Sequence, residues 1–164
     1  MLLTEFDANR QAIINPEALH EPLEGFPKIA VSCFSRLTFQ RMLEMFPHEL
    51  IYETSMANVA IPIYKLVIDD NELAIFNAPV GSSACVGILE DIFVLGADKL
   101  VLFGTCGVLD EDIKETSIII PSHALRDEGT SFHYVEASDE IAVNVGVLDH
   151  FRSYLNERQI SHKE

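Results

Sequence analysis

Short apolar runs alternate with amphipathic stretches along this chain, and that alternation constrains its fold more than any other feature. Residues 28–34 are apolar and β-branched, and they lead directly into residues 37–46, whose apolar positions repeat with a helical period. The same reasoning predicts a hairpin at residues 59–68 and 72–77. It also predicts helices at residues 84–95 and 145–159 and strands at residues 99–103 and 117–121. Strands joined by a crossing helix pair in parallel, so the sequence predicts an α/β layer structure.

Small and polar residues mark the ends of these elements. Asp69-Asp70-Asn71 separates the halves of the hairpin and predicts an antiparallel turn. Ser82-Ser83 stands where side chains cap helices, so we expect it to cap the helix at residues 84–95, which Gly96 ends. After the last helix, residues 159–164 have the pattern of an approach to another strand.

Length and charge bound the kind of protein. The chain has 164 residues, 48% of them hydrophobic, and its 11 basic against 26 acidic residues give a formal charge of −15. This composition predicts one folded domain over residues 1–164 with its acidity on the surface. So large an acidic excess repels polyphosphates and anionic membranes, which argues against nucleic-acid and membrane partners. A bound anion must therefore be held by local groups against the overall field.

The amino end and the cysteines point to a cytoplasmic protein. Residues 1–7 lack a basic region followed by a long apolar stretch, and no window is apolar enough for a spanning helix. The three cysteines, Cys33, Cys85 and Cys106, are an odd number without metal-binding spacing, and the histidines are scattered. We therefore expect reduced, partly buried thiols and no metal site.

Three turns follow predicted strands, and ligands of open α/β sheets bind beyond the carboxyl ends of strands. Residues 32–36 offer hydroxyls, N–H groups at a helix start and the guanidinium of Arg36, which suits an oxyanion; a capped helix with a surface arginine is the alternative. Residues 81–83 and 104–107 are small enough to hold a phosphate, or to let a helix pack on the sheet. Neither fits the dinucleotide or P-loop pattern, so those classes are excluded.

Residues 126–134 form the densest polar cluster. His133 with Asp127 and Glu128 has the residue types for acid–base chemistry, and a structural loop held by an arginine–carboxylate pair uses the same residues. Cys106 has no evident base except His133, so a thiol nucleophile is a minor alternative. The sequence leaves these alternatives open.

Four blocks together resemble the nucleoside phosphorylase family, which holds uridine phosphorylase and the hexameric purine nucleoside phosphorylases. They lie at residues 78–83, 102–109, 118–121 and 126–134. The resemblance covers residues 28 to 140 and makes this chain similar to the amino-terminal two-thirds of the family. It implies a three-layer α/β/α fold with a central mixed sheet, incomplete at the carboxyl end, and homo-oligomers built from dimers, up to hexamers.

The resemblance also implies phosphorolysis, in which a nucleoside and phosphate give a free base and ribose 1-phosphate. Inorganic phosphate is then a co-substrate, and no metal or organic cofactor is needed. Arg36 matches the family's arginine in the phosphate-binding turn, and Thr105, after Gly104, matches the hydroxyl that holds phosphate and faces the ribose. Gly81 lies in the turn similar to the family's second small-residue loop. No residue is assigned as catalytic.

Three departures from the family pattern keep other functions open. Leu102 stands where uridine phosphorylase has an arginine, and Cys33-Phe34-Ser35 replaces a Gly-Asp-Pro turn. The family's ribose- and base-recognition segments fall beyond Glu164, so the base preference is not predicted. A phosphate- or nucleoside-binding subunit without activity, or an inactive truncated homologue, is the main alternative. A flavodoxin-like anion-binding domain is a weaker one.

Overall fold

The computed structural model describes residues 4–113 and 118–164. These residues form two compact units, one of residues 9–105 and one of residues 4–8 with 106–113 and 118–164. The first unit contains β1 (Ile29–Cys33), α1 (Arg36–Met45), β2 (His48–Met56), β3 (Val59–Ile68), β4 (Asn71–Asn77), α2 (Ser82–Leu95) and β5 (Lys99–Phe103). The second contains β6 (Ile118–Ile119), β7 (His123–Leu125), β8 (Glu140–Ala142), α3 (Val145–Glu157) and β9 (His162–Lys163). That residues 1–164 form a single domain stays a prediction.

The first unit is built on a mixed five-stranded sheet in the order β2-β3-β4-β1-β5. β1 pairs in parallel with β4 and with β5, whereas β2, β3 and β4 pair antiparallel. The α/β class and the mixed sheet are therefore confirmed. The sequence analysis missed β2, because a register shift between Leu50 and Tyr52 interrupts the alternation that would reveal this edge strand.

Helices cover both faces of this sheet. On β4, Ile75 faces the cluster that contains Phe39 of α1, while its neighbours Ala74 and Phe76 face the cluster that contains Ile88 of α2. This alternation follows from the two-residue period of a strand, and it buries both faces. The expected three layers, helix, sheet and helix, are confirmed in the first unit.

The turns of this unit correct one expectation and confirm two. Asp69 and Asp70 have φ angles of 48° and 64°, which form the tight turn of the predicted hairpin. The helix α2 begins earlier than expected, so Gly81, with a φ of 107°, is its N-cap and no side chain caps it. The prediction that serines cap this helix is wrong, because the helix begins at Ser82 and both serines lie inside its first turn, after Gly81 at a positive φ. Gly96 ends α2 as expected.

The described part of the second unit contains two small sheets, the helix α3 and a short 3-10 helix at Thr130–His133. β6 pairs in parallel with β9, and β7 pairs antiparallel with β8. β9 confirms the strand indicated after the last helix, and β6 confirms part of the strand predicted at residues 117–121, of which Ser117 lies outside the described residues. Asn144 caps α3 by accepting a hydrogen bond from the Val147 N–H at 3.2 Å. None of the helices in the described part of the chain is long and apolar enough to cross a membrane.

Candidate functional site

The candidate site lies where three neighbouring parallel strands of the first unit end. Cys33, the last residue of β1, is paired with Asn77 of β4 on one side and Phe103 of β5 on the other. Strands in a sheet are about 4.8 Å apart, so the turns that follow these three residues begin side by side. Arg36, Gly81, Gly104 and Thr105 all belong to these turns or to the residues directly after them. The topology therefore brings the predicted site residues to one edge of the sheet.

The first turn starts helix α1 with a cation. Ser35 is the N-cap, and its Oγ accepts hydrogen bonds from the Thr38 N–H at 3.2 Å and the Thr38 hydroxyl at 3.0 Å. Arg36 follows as the first helical residue and is exposed, with no hydrogen bond or ion pair to any residue in 4–113 or 118–164. A cation at the positive end of a helix costs about 0.3–1 kcal/mol, so helix stability does not explain Arg36. The arrangement instead concentrates positive potential where an anion would bind.

One hydroxyl of this turn is not available to a ligand. Ser32 is fully buried, and its Oγ donates a hydrogen bond to the Phe76 carbonyl at 2.7 Å. The expectation that residues 32–36 offer several hydroxyls is therefore corrected: Ser32 joins two strands, and Ser35 caps a helix.

The second turn leads into helix α2 through Gly81. A Cβ at this position would meet no atom within 4 Å, so its φ of 107°, and not a lack of space, requires glycine. Because Gly81 has no side chain, the first N–H groups of α2 donate to no capping side chain of the N-cap residue. Such a helix start suits an anion, and the contact between Gly81 and phosphate stays a prediction.

The third turn is covered by an aromatic ring. A Cβ on Gly104 would lie 3.2 Å from Cδ2 of Phe34, so glycine at this position allows the ring to rest on the backbone. Packing therefore accounts for Gly104 without a ligand. Thr105 is exposed, and its role toward phosphate stays a prediction.

The sequence analysis did not single out Asn77, which lies between the first two turns. Its Nδ2 donates a hydrogen bond to the Cys33 carbonyl at 2.6 Å, and the Ala78 N–H donates to the same oxygen at 3.1 Å. The available signal was a polar residue that ends an otherwise apolar strand.

The thiols differ in exposure. Cys33 and Cys85 are buried, and burial raises the pKa of both thiols. Cys106 is exposed, so the expectation of buried thiols holds for two of the three. In the part of the chain that the structure describes, no cluster of histidine, cysteine or acidic side chains could hold a metal ion.

We expect an aromatic disulfide reagent at pH 8 to label Cys106 rapidly and the other two cysteines slowly. The thiolate is the reacting species, and burial both hides Cys33 and Cys85 and keeps their thiols protonated. Stopped-flow labelling should show one fast phase that Cys106→Ser removes. A fast phase that persists in Cys106→Ser would contradict the buried positions of the other thiols.

The polar cluster of the second unit is structural. Arg126 is 6% exposed, and it donates to the Ser131 and Ser138 hydroxyls at 2.9 Å each and to the Glu136 and Val135 carbonyls. No carboxylate within residues 4–113 and 118–164 pairs with it, so carbonyls and hydroxyls hold this loop instead of the expected arginine–carboxylate pair.

The side chains suggested for acid–base chemistry fit this structural role. Both carboxylate oxygens of Glu128 accept backbone N–H bonds within the same loop, from Thr130 and Ser131. His133 is exposed and makes no hydrogen bond to Cys106, both of which are described residues. The structure therefore gives no support to a cysteine–histidine pair.

Comparison with known proteins identifies the family. Residues 28–164 match the model of the phosphorylase superfamily. Guanosine phosphorylase of Halorubrum lacusprofundi is 28% identical over 74 residues, which are 43% of this chain and 31% of that protein.

Solved structures show the same fold. Uridine phosphorylase from Vibrio fischeri ES114 has a TM-score of 0.73 at 17% identity, over 93% of this chain and 63% of that one. Purine nucleoside phosphorylase from Toxoplasma gondii has a TM-score of 0.71 at 15% identity, over 84% and 55%. Futalosine hydrolase of Helicobacter pylori has a TM-score of 0.66 at 19% identity, over 85% and 62%. The chain spans less than two thirds of the length of each of these relatives. With its family model matched over residues 28–164, the chain belongs to the phosphorylase superfamily.

Proposed function

We propose that this protein is a nucleoside phosphorylase, which transfers the pentosyl group of a purine or pyrimidine nucleoside to inorganic phosphate in nucleoside salvage. The observation that carries the proposal is the position of Arg36. Its guanidinium, which pairs with none of the described residues, begins α1 at the edge of the sheet where β1, β4 and β5 end side by side. Family membership and the phosphorylases among the similar proteins support the same reaction.

The proposed reaction needs an anion held close to the sugar. As the glycosidic C–N bond breaks, positive charge grows on the sugar ring, and a phosphate oxygen forms the new bond to the anomeric carbon while the base leaves. A bound phosphate dianion is both the nucleophile and the group that stabilises this charge. Arg36, the first N–H groups of α1 and α2, and Thr105 would hold it. Such a reaction requires no metal or organic cofactor.

Release of free base from inosine, adenosine, guanosine or uridine, with and without phosphate, tests the proposal. Phosphorolysis predicts release that depends on phosphate and gives ribose 1-phosphate in equal amount. Base release that does not depend on phosphate and that gives free ribose would contradict phosphorolysis. Phosphate binding without any release would favour the binding-subunit alternative.

Hydrolysis is the second candidate, and one residue favours it. Leu102 is on β5, exposed, at the position where uridine phosphorylase has an arginine, so this site has one guanidinium fewer. The structural neighbours also include hydrolytic enzymes, among them futalosine hydrolase and a nucleosidase of Helicobacter pylori. A site with fewer charges for phosphate is better suited to water as the acceptor.

We expect Leu102→Arg to bind phosphate about tenfold more tightly than the natural chain. A charge-assisted hydrogen bond is worth about 1.5–3 kcal/mol, and part of this offsets the ordering of the new side chain. Isothermal titration with phosphate measures the change. Leu50→Arg, on the exposed edge strand β2, adds the same charge elsewhere and is the control. Equal gains in both variants would show that net charge alone is responsible.

We further propose that the protein assembles as a homo-oligomer built from dimers, possible sizes including a hexamer, and acts in the cytoplasm. The support is the resemblance to the phosphorylase family and the absence of any spanning helix among the described residues. Light scattering on the purified protein measures the oligomeric state, and a monomer at micromolar concentration would contradict the proposal.

A further inference from the structure

We propose that Asn77 is a positioning residue, which holds the phosphate-binding turn after β1 in the orientation that the anion needs. This inference rests on the proposed function. The side chain is half-buried, and its Nδ2 lies 2.6 Å from the Cys33 carbonyl oxygen. Cys33 is the last residue of β1, so this bond acts on the point where the strand becomes the turn.

Together with a backbone hydrogen bond, the Asn77 bond fixes which way the next peptide group faces. The Cys33 carbonyl accepts both the Asn77 amide and the Ala78 N–H, so it points toward the end of β4. The Cys33–Phe34 peptide is trans, and the C=O and N–H of a trans peptide point in opposite directions. The Phe34 N–H is therefore directed away from β4, to the side of β1 on which β5 lies.

A second bond below it completes the connection between the two strands. The buried Ser32 hydroxyl donates to the Phe76 carbonyl at 2.7 Å, one residue earlier on each strand. With Asn77, one side chain from each strand joins β1 to β4 in addition to the backbone ladder. The turn that carries Arg36 and the turn that carries Gly81 are thus held at a fixed separation. Ser32 joins the two strands inside the sheet, and Asn77 joins them at their carboxyl ends, beside the turns of the candidate site.

The experiment compares two asparagines of the same strand. We expect Asn77→Ala to weaken phosphate binding about five- to tenfold, because the loss of one hydrogen bond frees the turn. Asn71 is the matched control, since it begins β4, at the opposite end of the strand from Asn77, and its Nδ2 donates to the Asp69 carbonyl at 2.8 Å. Asn71→Ala should bind phosphate like the natural chain. Titration calorimetry on the full chain gives the affinities, and melting temperatures show that each variant is folded.

Further variants and readouts separate positioning from general stability. Asn77→Gln keeps the amide donor and should retain affinity to within about threefold. Asn77→Ser has a shorter side chain, and it should show the loss if Asn77→Ala does not fold. With a nucleoside present, positioning predicts a higher KM for phosphate with little change in kcat.

Each outcome decides the matter. Affinity in Asn77→Ala or Asn77→Ser equal to that of the natural chain overturns the inference, as does an equal loss in Asn71→Ala. Absence of phosphate binding in the natural chain overturns it together with the proposed function. Phosphate binding without base release refutes the proposed function alone, and the Asn77 variants still test the inference by their affinities.

Discussion

Replacing Arg36 by alanine is expected to weaken phosphate binding about ten- to hundredfold. The guanidinium is exposed at the first position of α1 and pairs with no residue in the described ranges 4–113 and 118–164, so an incoming anion meets it directly. Charge-assisted hydrogen bonds of this kind are worth about 1.5–3 kcal/mol, and each 1.4 kcal/mol is a factor of ten. Titration calorimetry and the KM for phosphate measure the loss. In a chain with a charge of −15, no general attraction compensates for it.

The same substitution should leave the fold intact or stabilise it slightly. Arginine at the start of a helix is unfavourable to the helix dipole, and alanine is the better helix former. Arg41→Ala, on an exposed position of the same helix, is the control and should leave phosphate affinity unchanged. An Arg36→Ala protein that loses stability but keeps its affinity for phosphate would show that Arg36 is a surface residue without a role in anion binding.

Replacing Arg126 by alanine is expected to lower the free energy of unfolding by about 3–5 kcal/mol. The side chain is 6% exposed and donates to two hydroxyls and two carbonyls, and its guanidinium carbon lies 4.2 Å from the centre of the Phe132 ring. Removal breaks these four hydrogen bonds, and a hydrogen bond to a charged group is worth about 1.5–3 kcal/mol, so the loss exceeds that of a surface contact. Urea unfolding followed by circular dichroism measures the change. Hydrogen exchange should show lost protection in the second unit first.

Two further variants test whether the planar guanidinium of Arg126, with its several N–H donors, is required. Arg126→Lys keeps the charge but cannot reach four acceptors at once, so it should recover little stability. Arg158→Ala removes an exposed arginine of the same unit, whose guanidinium carbon lies 3.8 Å from the centre of the Tyr154 ring, and should cost less than about 1 kcal/mol. Equal losses in Arg126→Ala and Arg158→Ala would contradict a structural role for the buried network.

The strength of the local signal determined which elements the sequence predicts. Asp69 and Asp70 tolerate the positive φ angles of a tight turn, so the hairpin of β3 and β4 is legible in the sequence. β2 is not, because it is an edge strand whose alternation is broken by a register shift after Leu50. The predicted start of α2 is two residues too late. Serines are common N-cap residues, but here the N-cap is Gly81, at a positive φ, and the helix begins at Ser82.

The sequence likewise predicts some features of the candidate site and not others. That the turns after β1, β4 and β5 share an edge follows from strand–helix alternation, which predicts parallel neighbours. Which hydroxyls face the ligand depends on side-chain direction, and Ser32 points into the sheet. Asn77 acts through a residue 44 positions away in the chain, and no local pattern shows a bond of that separation.

The strands that carry the candidate site differ in how many hydrogen-bonded neighbours they have, and this difference affects how a ligand binds. β1 has a hydrogen-bonded neighbour on each side, whereas β5 ends the sheet and pairs only with β1 among the described strands. Edge strands open more readily than central ones, so Thr105 sits on the adaptable side of the site and Arg36 on the rigid side. An anion is then expected to bind first where the turn is already ordered and to draw the end of β5 into place afterwards. Such a sequence of events lowers affinity by the entropy of ordering one strand end, and it speeds release of the bound anion.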